Sequence, residues 1–519
     1  MSMIDPQQLQ DAKHALGRLL RDLRTARGLR QKDVAEQVHS TRSTVANVEA
    51  GRQMVDRIFW QQCDTLLGAG QQLLGGYDAY RRLEQQHHAE RDEAARRARW
   101  GAAAEAAIDP ASPSSELVAL RQRAALDQTD RGLSLAITSL LDLVVGRAGE
   151  DHTLDAPSGR YFPGVPVEVR VYPAVDDGRI LATIPRADGG KEWQLPVQRR
   201  LIAGRVTTPE GDGLFALDSR QASRRLVDVG DDTRLLIPRV YQLDAITAAV
   251  LWAVANLDQS LLLDDARLET SRAAAAEYSR LTRSAVSGDI AQDLDTVSRL
   301  WLGSAFCADH ISRHSTGLVD VPTFWTREQH GEEASTWLLF GHKLRYLAAT
   351  AEQFTATTQP ITRIFCIPAT AVTTSTESER ILLLLAIALM ESFNITVAVT
   401  DEPEYGALPG LVLTKQRAIV ATWIRADGVW HVDVTDQRPS LAEYHDAAGH
   451  VKAHSLIAAD TPGTRLHALA GYLDLDWHWL RNRCAELGEY GFAGIAEPRS
   501  RLLSLDGADR ACRFVGSLP

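Results

Sequence analysis

The stretch from Ala15 to about Leu74 carries its apolar residues at helical spacing in several short runs, each of which ends at a turn signal. Because glycine and small polar residues interrupt helices, this pattern predicts four or five short helices and almost no strand. The sequence therefore predicts a small all-α domain, called the head below, over residues 1–75. The breaks lie at Gly28, at HST (39–41), at Gly51 and at GAG (68–70).

Residues inside the head keep fixed intervals from Gln31, the start of the second helix. Apolar residues follow at +3, +4 and +14, an acidic residue at +18 and a glycine at +20. The apolar positions allow two short helices to pack across a tight turn, and the small Ala35 lets them cross closely. Over about sixty residues the pattern resembles the helix-turn-helix domain of the XRE (Cro/C1-type) family of transcriptional regulators. The residues that carry it are Gln31, Val34, Ala35, Val38, Val45, Val48, Glu49 and Gly51.

The resemblance implies which side chains meet DNA. In such domains the early residues of the third helix enter the major groove, while flanking residues contact phosphates. Arg pairs with guanine and Asn with adenine, whereas Ser and Thr are less selective. We expect Arg42, Ser43, Thr44 and Asn47 to face bases, Gln31, Lys32, Arg52 and Gln53 to face phosphates, and Thr41 to cap the recognition helix beside the DNA.

The resemblance also implies a structural ion pair between Arg24 and Glu49, which joins the first helix to the end of the third without reading DNA. Two positions depart from the family pattern. His39 replaces the turn glycine, and its side chain tolerates a left-handed conformation better than most. Ala46 replaces a serine, which removes one contact to phosphate.

The charge of the chain is unevenly distributed. The 519 residues carry a net charge of −11, whereas residues 1–60 carry ten Lys and Arg against seven Asp and Glu, a net of +3. The rest of the chain therefore carries −14, which suits a protein that meets an anion at one end only. The five cysteines are scattered and form no CxxC pair, so we expect reduced thiols.

No signal peptide is apparent at the N-terminus, and the longest apolar run, which begins at Ile381, has ten residues. A bilayer span needs about twenty residues, so we expect a cytoplasmic protein without a membrane partner. Residues 76–116 are interpreted as a charged helical connector and linker, for which a dimer seam is the alternative. The remaining chain is called the body.

The body is predicted to have an α+β fold. Residues 117–270 are expected to form a helix plus a β-rich domain, with strands from Val167 and Ile180. Residues 271–519 are expected to form an α/β domain for sensing or oligomerisation, because strands at 363–368 and 394–399 flank the apolar helix from Ile381. The element order also resembles a phospholipase D-type half domain used without catalysis.

Two weaker constellations lie in the body. Cys307, His310 and His314 share one helical face and could offer metal ligands, but no fourth ligand is identifiable, so we expect no metal and no cofactor. His450 and Lys452 begin an H-x-K motif, as in phospholipase D-like enzymes, but Ile457 occupies the position of the expected Asp. Packing or solvated roles are therefore favoured over catalysis, and we expect no enzyme.

Together these features predict a sequence-specific transcriptional regulator, a homodimer that binds a double-stranded DNA operator. So long a body indicates modulation by a small molecule or a protein. The composition, rich in Ala, Arg and Asp and poor in Lys, resembles that of high-GC actinobacterial proteins, where long regulators of this type occur. Two alternatives stay open: a phosphodiesterase-like enzyme tethered to DNA, and an antitoxin or defence-type scaffold that binds a protein.

Overall fold

The structure is a computed structural model in which two compact units, Met1–Leu126 and Asp127–Pro519, can be distinguished. Most of the predicted connector and linker, the following segment to residue 150, and His39 lie outside the described residues. The described residues are 6–38, 40–55, 57–81, 83, 151–154, 158–185, 188, 193, 199–208, 211–229, 232–287, 294–316, 318, 320–354, 360–424 and 429–519.

The described part of the head is helical throughout, as the spacing of its apolar residues predicted. A buried cluster that includes Leu20, Val34, Val45, Trp60 and Leu73 lies between the helices. The Asp64 carboxylate accepts hydrogen bonds from the backbone at the start of the last helix, which satisfies donors that have no partner inside it. The helices are α1 (Pro6–Ala26), α2 (Gln31–Gln37), α3 (Arg42–Glu49), α4 (Arg57–Leu67) and α5 (72–81).

The first half of the body contains a mixed seven-stranded sheet with the order β5-β4-β2-β3-β7-β6, and β1 pairs with the start of β2. β2 alternates buried and less buried residues, which is the period that its sequence predicted. A short helix, α6 (Ser219–Ser223), follows β5. The strands are β1 (Asp151–Leu154), β2 (Val167–Asp176), β3 (Ile180–Pro185), β4 (Arg200–Thr208), β5 (Gly211–Asp218), β6 (Leu226–Val229) and β7 (Asp232–Ile237).

The second sheet also has seven strands, in the order β11-β10-β9-β12-β13-β14-β8. The three strands at the β11 edge run parallel because helices connect them, whereas the strands after β11 form an antiparallel meander. The strands are β8 (Arg283–Ser287), β9 (Thr323–Thr326), β10 (Ile361–Cys366), β11 (Ile395–Thr400), β12 (Leu411–Leu413), β13 (Ala418–Thr422) and β14 (Val429–Thr435).

Helices cover both faces of the second sheet. The apolar run from Ile381 lies in a helix whose residues Ile381 to Met390 are all buried, so it is a core helix. The opposite face packs against Leu441 and Val451. The helices are α7 (Ala245–Ser279), α8 (Thr296–Ser315), α9 (Gly331–Leu339), α10 (Gly341–Gln353), α11 (Ala369–Thr374), α12 (Glu377–Glu391), α13 (Arg438–Ala453), α14 (Pro462–Tyr472), α15 (Trp477–Tyr490), α16 (Ala493–Ala496) and α17 (Asp506–Ser517).

The helix α7 joins the two halves of the body. The boundary predicted at residue 270 falls inside this helix, and one continuous buried cluster includes residues of both sheets and of α7. The body therefore folds as one unit rather than as the two expected domains, because α7 packs in the shared core. Among the described residues, α7 is also the one helix long and apolar enough to cross a membrane, and 83% of its most apolar window is buried.

Candidate nucleic-acid interface

One face of the recognition helix α3 packs against the rest of the head. Val45, Val48 and Glu49 are buried, and the α1 backbone crosses α3 so closely that a Cβ on Gly17 would lie 2.4 Å from the carbonyl oxygen of Val48. The position of Gly17 therefore requires glycine, and α3 is fixed against α1. The opposite face of α3 stays available for a partner.

The Arg24 guanidinium forms a bidentate pair with the Glu49 carboxylate inside the head. Nε lies 2.5 Å from Oε1 and Nη2 lies 3.1 Å from Oε2, while Nη1 donates to the carbonyl oxygen of Leu29 across 2.7 Å. Both side chains are nearly buried. The pair ties the end of α1 and the loop before α2 to the last residue of α3, as the resemblance implied.

The Gln31 side chain takes part in this network. Its Nε2 donates to Glu49 Oε2 across 2.8 Å. Glu49 holds the side-chain amide of Gln31 inside the head. Gln31 could therefore contact a phosphate only through its backbone N–H at the start of α2, or through its side-chain oxygen and a bridging water. The sequence reasoning assigned Gln31 to phosphate and missed its structural bond to Glu49.

Thr41 caps α3 as its position predicted. Its Oγ1 accepts a hydrogen bond from the Thr44 backbone N–H across 3.1 Å. The hydroxyls of Ser43 and Thr44 also lie within 2.9 Å of Thr41 Oγ1. In the free protein both hydroxyls are thus engaged at the cap, and either must rotate away from Thr41 to bond a base with its own proton.

Arg42 and Asn47 differ from Ser43 and Thr44 in the hydrogen bonding of their side chains. Within the described part of the chain, neither side chain has a hydrogen-bond partner, and Arg42 is exposed. Ser43 and Asn47 are separated by one helical turn and lie opposite the buried face of α3, whereas Arg42 is exposed because it is the first residue of the helix. Arg42 and Asn47 are therefore the side chains best prepared to form bidentate contacts with base edges.

Basic residues flank the exposed face. Lys32 is 68% exposed on α2, where it pairs loosely with Glu36 at 3.6 Å. Arg52 and Gln53 are exposed in the loop after α3, and their backbone N–H groups bond the carbonyl oxygen of Asn47. These side chains suit contacts with phosphate, which need charge or polarity but not the two parallel donors of a bidentate contact.

The structure adds one basic residue that the sequence reasoning missed. Lys13 on α1 donates from Nζ to the carbonyl oxygen of Arg52 across 3.3 Å, so its ammonium group lies beside the loop that follows α3. Its place one turn before Gly17, where α1 crosses α3, is the signal that could have found it. Lys13 joins Lys32 and Arg52 as a phosphate-contact candidate.

The cysteine and histidine set in the body does not gather into a metal site. His310 is buried in α8, and its Nδ1 lies 3.2 Å from the carbonyl oxygen of Ser279. Burial lowers the pKa of His310 to about 4, so the ring is neutral at neutral pH. Burial also raises the pKa of Cys307, which disfavours the thiolate that a metal requires. Among the described residues, no group of three His, Cys, Asp or Glu side chains could hold a metal ion.

The H-x-K sequence lies in the last turn of α13. His450 Nε2 is 2.9 Å from Glu402 Oε1, whereas Lys452 Nζ donates to Thr323 Oγ1 across 2.6 Å. Residues two apart on a helix point in different directions, so these two side chains do not converge on one phosphate. The phospholipase D-like interpretation gains no support from this geometry.

Comparison with known families identifies the head. Residues 15–74 match a family model described as a helix-turn-helix domain. No curated protein and no solved structure matches the chain. The matched residues begin in α1 and end in α5, so they include the Arg24–Glu49 pair and the whole of α3. The chain therefore carries a helix-turn-helix domain, which belongs to a class of DNA-binding domains.

Proposed function

We propose that the protein is a sequence-specific transcriptional regulator of the XRE type, which reads an operator through α3. The observation that carries the proposal is the division of α3 into two faces. Val45, Val48 and Glu49 fix it to the head, while Asn47 lies on the opposite face and Arg42 at the exposed start of the helix, both without side-chain hydrogen-bond partners among the described residues. A guanidinium and a carboxamide there match the donor and acceptor patterns of guanine and adenine.

Affinity and register would come from the flanking cations. Lys13 lies beside Arg52 in the loop after α3, Lys32 is exposed on α2, and each of the three would neutralise one phosphate. The acidic remainder of the chain, with a net charge of −14 outside residues 1–60, repels the same polyanion. The head alone is thus the part of the chain that DNA attracts, and its approach is steered by charge.

A homodimer is the assembly that this proposal favours. Two copies of α3 would then meet half-sites about one helical turn apart on a two-fold operator. A ligand or a protein bound to the body would change how readily the two heads reach that spacing, because it binds one arrangement better than the other. The protein would act in the cytoplasm, where its operator lies.

Genome-wide footprinting of the native protein tests the proposal. Wild-type protein and the Arg283→Ala variant, which removes a 76% exposed arginine of the body, should protect the same discrete sites. The Arg42→Ala and Asn47→Ala variants should lose protection at those sites while the protein remains folded. The proposal fails if the wild type shifts DNA only non-specifically and protects no discrete site, or if the two α3 variants keep the wild-type footprint.

A further inference from the structure

Two cysteines of the body lie in contact with each other. The Sγ atom of Cys484 on α15 lies 3.5 Å from the Sγ atom of Cys512 on α17, although the two residues are 28 positions apart in the sequence. Both side chains are fully buried. Cys63, Cys307 and Cys366 are also buried free thiols, but they lie in α4, α8 and β10. Folding therefore brings Cys484 and Cys512 together as a pair.

The helices α15 and α17 touch backbone to backbone beside this pair. A Cβ on Gly516 would overlap the Cα atom of Ala485, and a Cβ on Gly488 would lie 2.9 Å from the Cα atom of Arg513. Ala485 and Arg513 directly follow the two cysteines in the sequence. A disulfide spans about 4.4–6.8 Å between Cα atoms, which side chains of two helices bridge only where the helices cross closely. The crossing of α15 and α17 is of this kind.

The helix α15 is tied to the segment that joins the first sheet to α7. Arg483 Nε donates to Asp244 Oδ2 across 2.6 Å, and Asp244 is the residue that caps the start of α7. Arg483 Nη2 donates to the carbonyl oxygen of Val240 across 2.9 Å. A group attached to α15 is therefore attached to the part of the body that carries the first sheet.

The helix α17 is tied to the helices that cover the second sheet. Arg510 Nε and Nη2 donate to the hydroxyl and the carbonyl oxygen of Ser392, at the end of the core helix α12, across 2.8 and 2.7 Å. A Cβ on Gly507 would overlap the carbonyl oxygen of Leu338 in α9, so α17 also packs closely on that helix. A bond between α15 and α17 would thus join the two halves of the body covalently.

Burial protects the two thiols while the body is closed. The contact with Cys484, together with burial, holds the pKa of Cys512 well above its usual value. Because the thiolate is the reactive form of cysteine, the closed pair stays reduced. Reaction requires a brief local opening of α15 or α17. When the helices close again, each cysteine meets the other as its neighbouring sulfur.

We propose that Cys484 and Cys512 form a redox modification site, at which hydrogen peroxide converts the two thiols into a disulfide between α15 and α17. One thiolate attacks a peroxide oxygen, and after protonation this gives a sulfenic acid and one water. The second thiol attacks the sulfenic sulfur, forms the S–S bond and releases a second water. The thiols lose two protons and two electrons, which reduce the peroxide. This inference goes beyond the proposed function, because it concerns the body whether or not the head reads DNA.

Mass spectrometry of the full chain tests the pairing. The reduced protein is treated with hydrogen peroxide, its remaining thiols are blocked with N-ethylmaleimide, and peptides are compared before and after reduction. In the folded chain the major disulfide should join Cys484 to Cys512, while Cys63, Cys307 and Cys366 carry the blocking group. The chain oxidised in concentrated urea is the comparison, since all five cysteines are free to pair there.

The melting temperature shows whether the disulfide fits the native crossing. A disulfide restricts the unfolded chain, so oxidation should raise the melting temperature of the wild type by about 3 °C or more, and dithiothreitol should reverse the rise. Cys484→Ala and Cys512→Ala should form no crosslink and show no rise. Cys307→Ala, which removes a buried cysteine of α8, should respond to oxidation as the wild type does. Each variant is compared with its own reduced form, so a change in its starting stability does not affect the result.

The rate of crosslinking tests the role of opening. Urea below the unfolding transition should speed both crosslinking and hydrogen exchange in peptides from α15 and α17. The proposal is overturned if the folded wild type forms no bond between Cys484 and Cys512 at peroxide concentrations that crosslink the unfolded chain. It is also overturned if another pair of cysteines predominates in the folded chain, or if the bond lowers the melting temperature.

Discussion

Gln31 Nε2 and Glu49 Oε2 lie 2.8 Å apart, so the first residue of α2 is bonded to the last residue of α3. Glu49 receives Arg24 at the same time. One carboxylate thus joins α1, α2 and α3, and it thereby fixes the orientation of the recognition helix α3. The carboxylate that positions the free face of α3 is itself buried inside the head.

Removing the Glu49 carboxylate should destabilise the head. Glu49→Ala leaves Arg24 buried and unpaired, which costs about 3–5 kcal/mol, whereas the double variant Arg24→Met/Glu49→Met should cost much less. Hydrogen exchange of peptides from residues 15–74, measured by mass spectrometry on the full chain, gives the local free energy of opening. A loss below about 1 kcal/mol for Glu49→Ala would show that the pair does not hold the head together.

The Arg42 and Asn47 side chains should determine sequence preference. Arg42→Ala or Asn47→Ala should lower the affinity for the footprinted operator by about 1–3 kcal/mol and relax the preference at one base pair each. Asn47 lies on the free face of α3 and Arg42 at its exposed first turn, so hydrogen exchange of the head should not change. Equal losses on operator and random DNA would instead assign these residues to phosphates.

Lys32 and Gln31 are neighbours with different expected roles. Lys32→Ala should weaken binding to operator and random DNA alike and lower the slope of log affinity against log salt by about 1. Gln31→Ala should leave that slope unchanged and speed hydrogen exchange in α3, because its bond to Glu49 is lost. The salt slope is measured by fluorescence anisotropy between low and physiological salt. An unchanged slope for Lys32→Ala contradicts the phosphate contact.

The stability of the body should depend on pH through Glu332. Burial and the charge of Glu379 raise the pKa of Glu332 from 4.5 to about 7, although three backbone N–H groups of residues 160–162 bond its carboxylate. The native state therefore holds this proton more tightly than the unfolded state. The contribution of Glu332 to the free energy of unfolding should be fully present below pH 4.5. It should be lost as the pH rises to about 7, by on the order of 3 kcal/mol.

Urea unfolding followed by circular dichroism checks this dependence on Glu332. Glu332→Gln should flatten the pH profile between about 4.5 and 7, since its amide does not titrate. The exposed Glu404 provides the matched control, and Glu404→Gln should keep the wild-type profile. A Glu332→Gln profile that still falls as steeply as the wild-type one would assign the dependence to other groups.

The head and most strands were predictable because local patterns specify them. Helix-ending residues and fixed intervals from Gln31 outlined the head, and alternation or short β-branched runs marked strands such as β2, β10 and β11. The strands β8 and β9 were missed because each has five residues or fewer and lies beside long helices. The order of strands in the second sheet depends on pairing between distant segments, which local periodicity does not encode.

The candidate sites also contain residues that a local motif indicates and contacts that only the folded structure reveals. The motif assigns Arg42 and Asn47 to the DNA-facing part of α3, and that assignment stays a prediction. The bond between Gln31 and Glu49 was not predictable, since a glutamine at a helix start looks the same whether it faces outward or inward. Lys343 in α10 and Arg363 in β10 are twenty positions apart in the sequence, and only folding brings both to the interior between α8, α10 and the second sheet.

The helix α7 runs through the shared core and continues past the point where a sequence-based boundary was drawn. A cut near residue 270 would divide α7 and uncover apolar surface of the shared core, so a fragment of the body that ends there should not fold by itself. The head has a buried cluster of its own, so recombination could exchange a head while leaving the body intact.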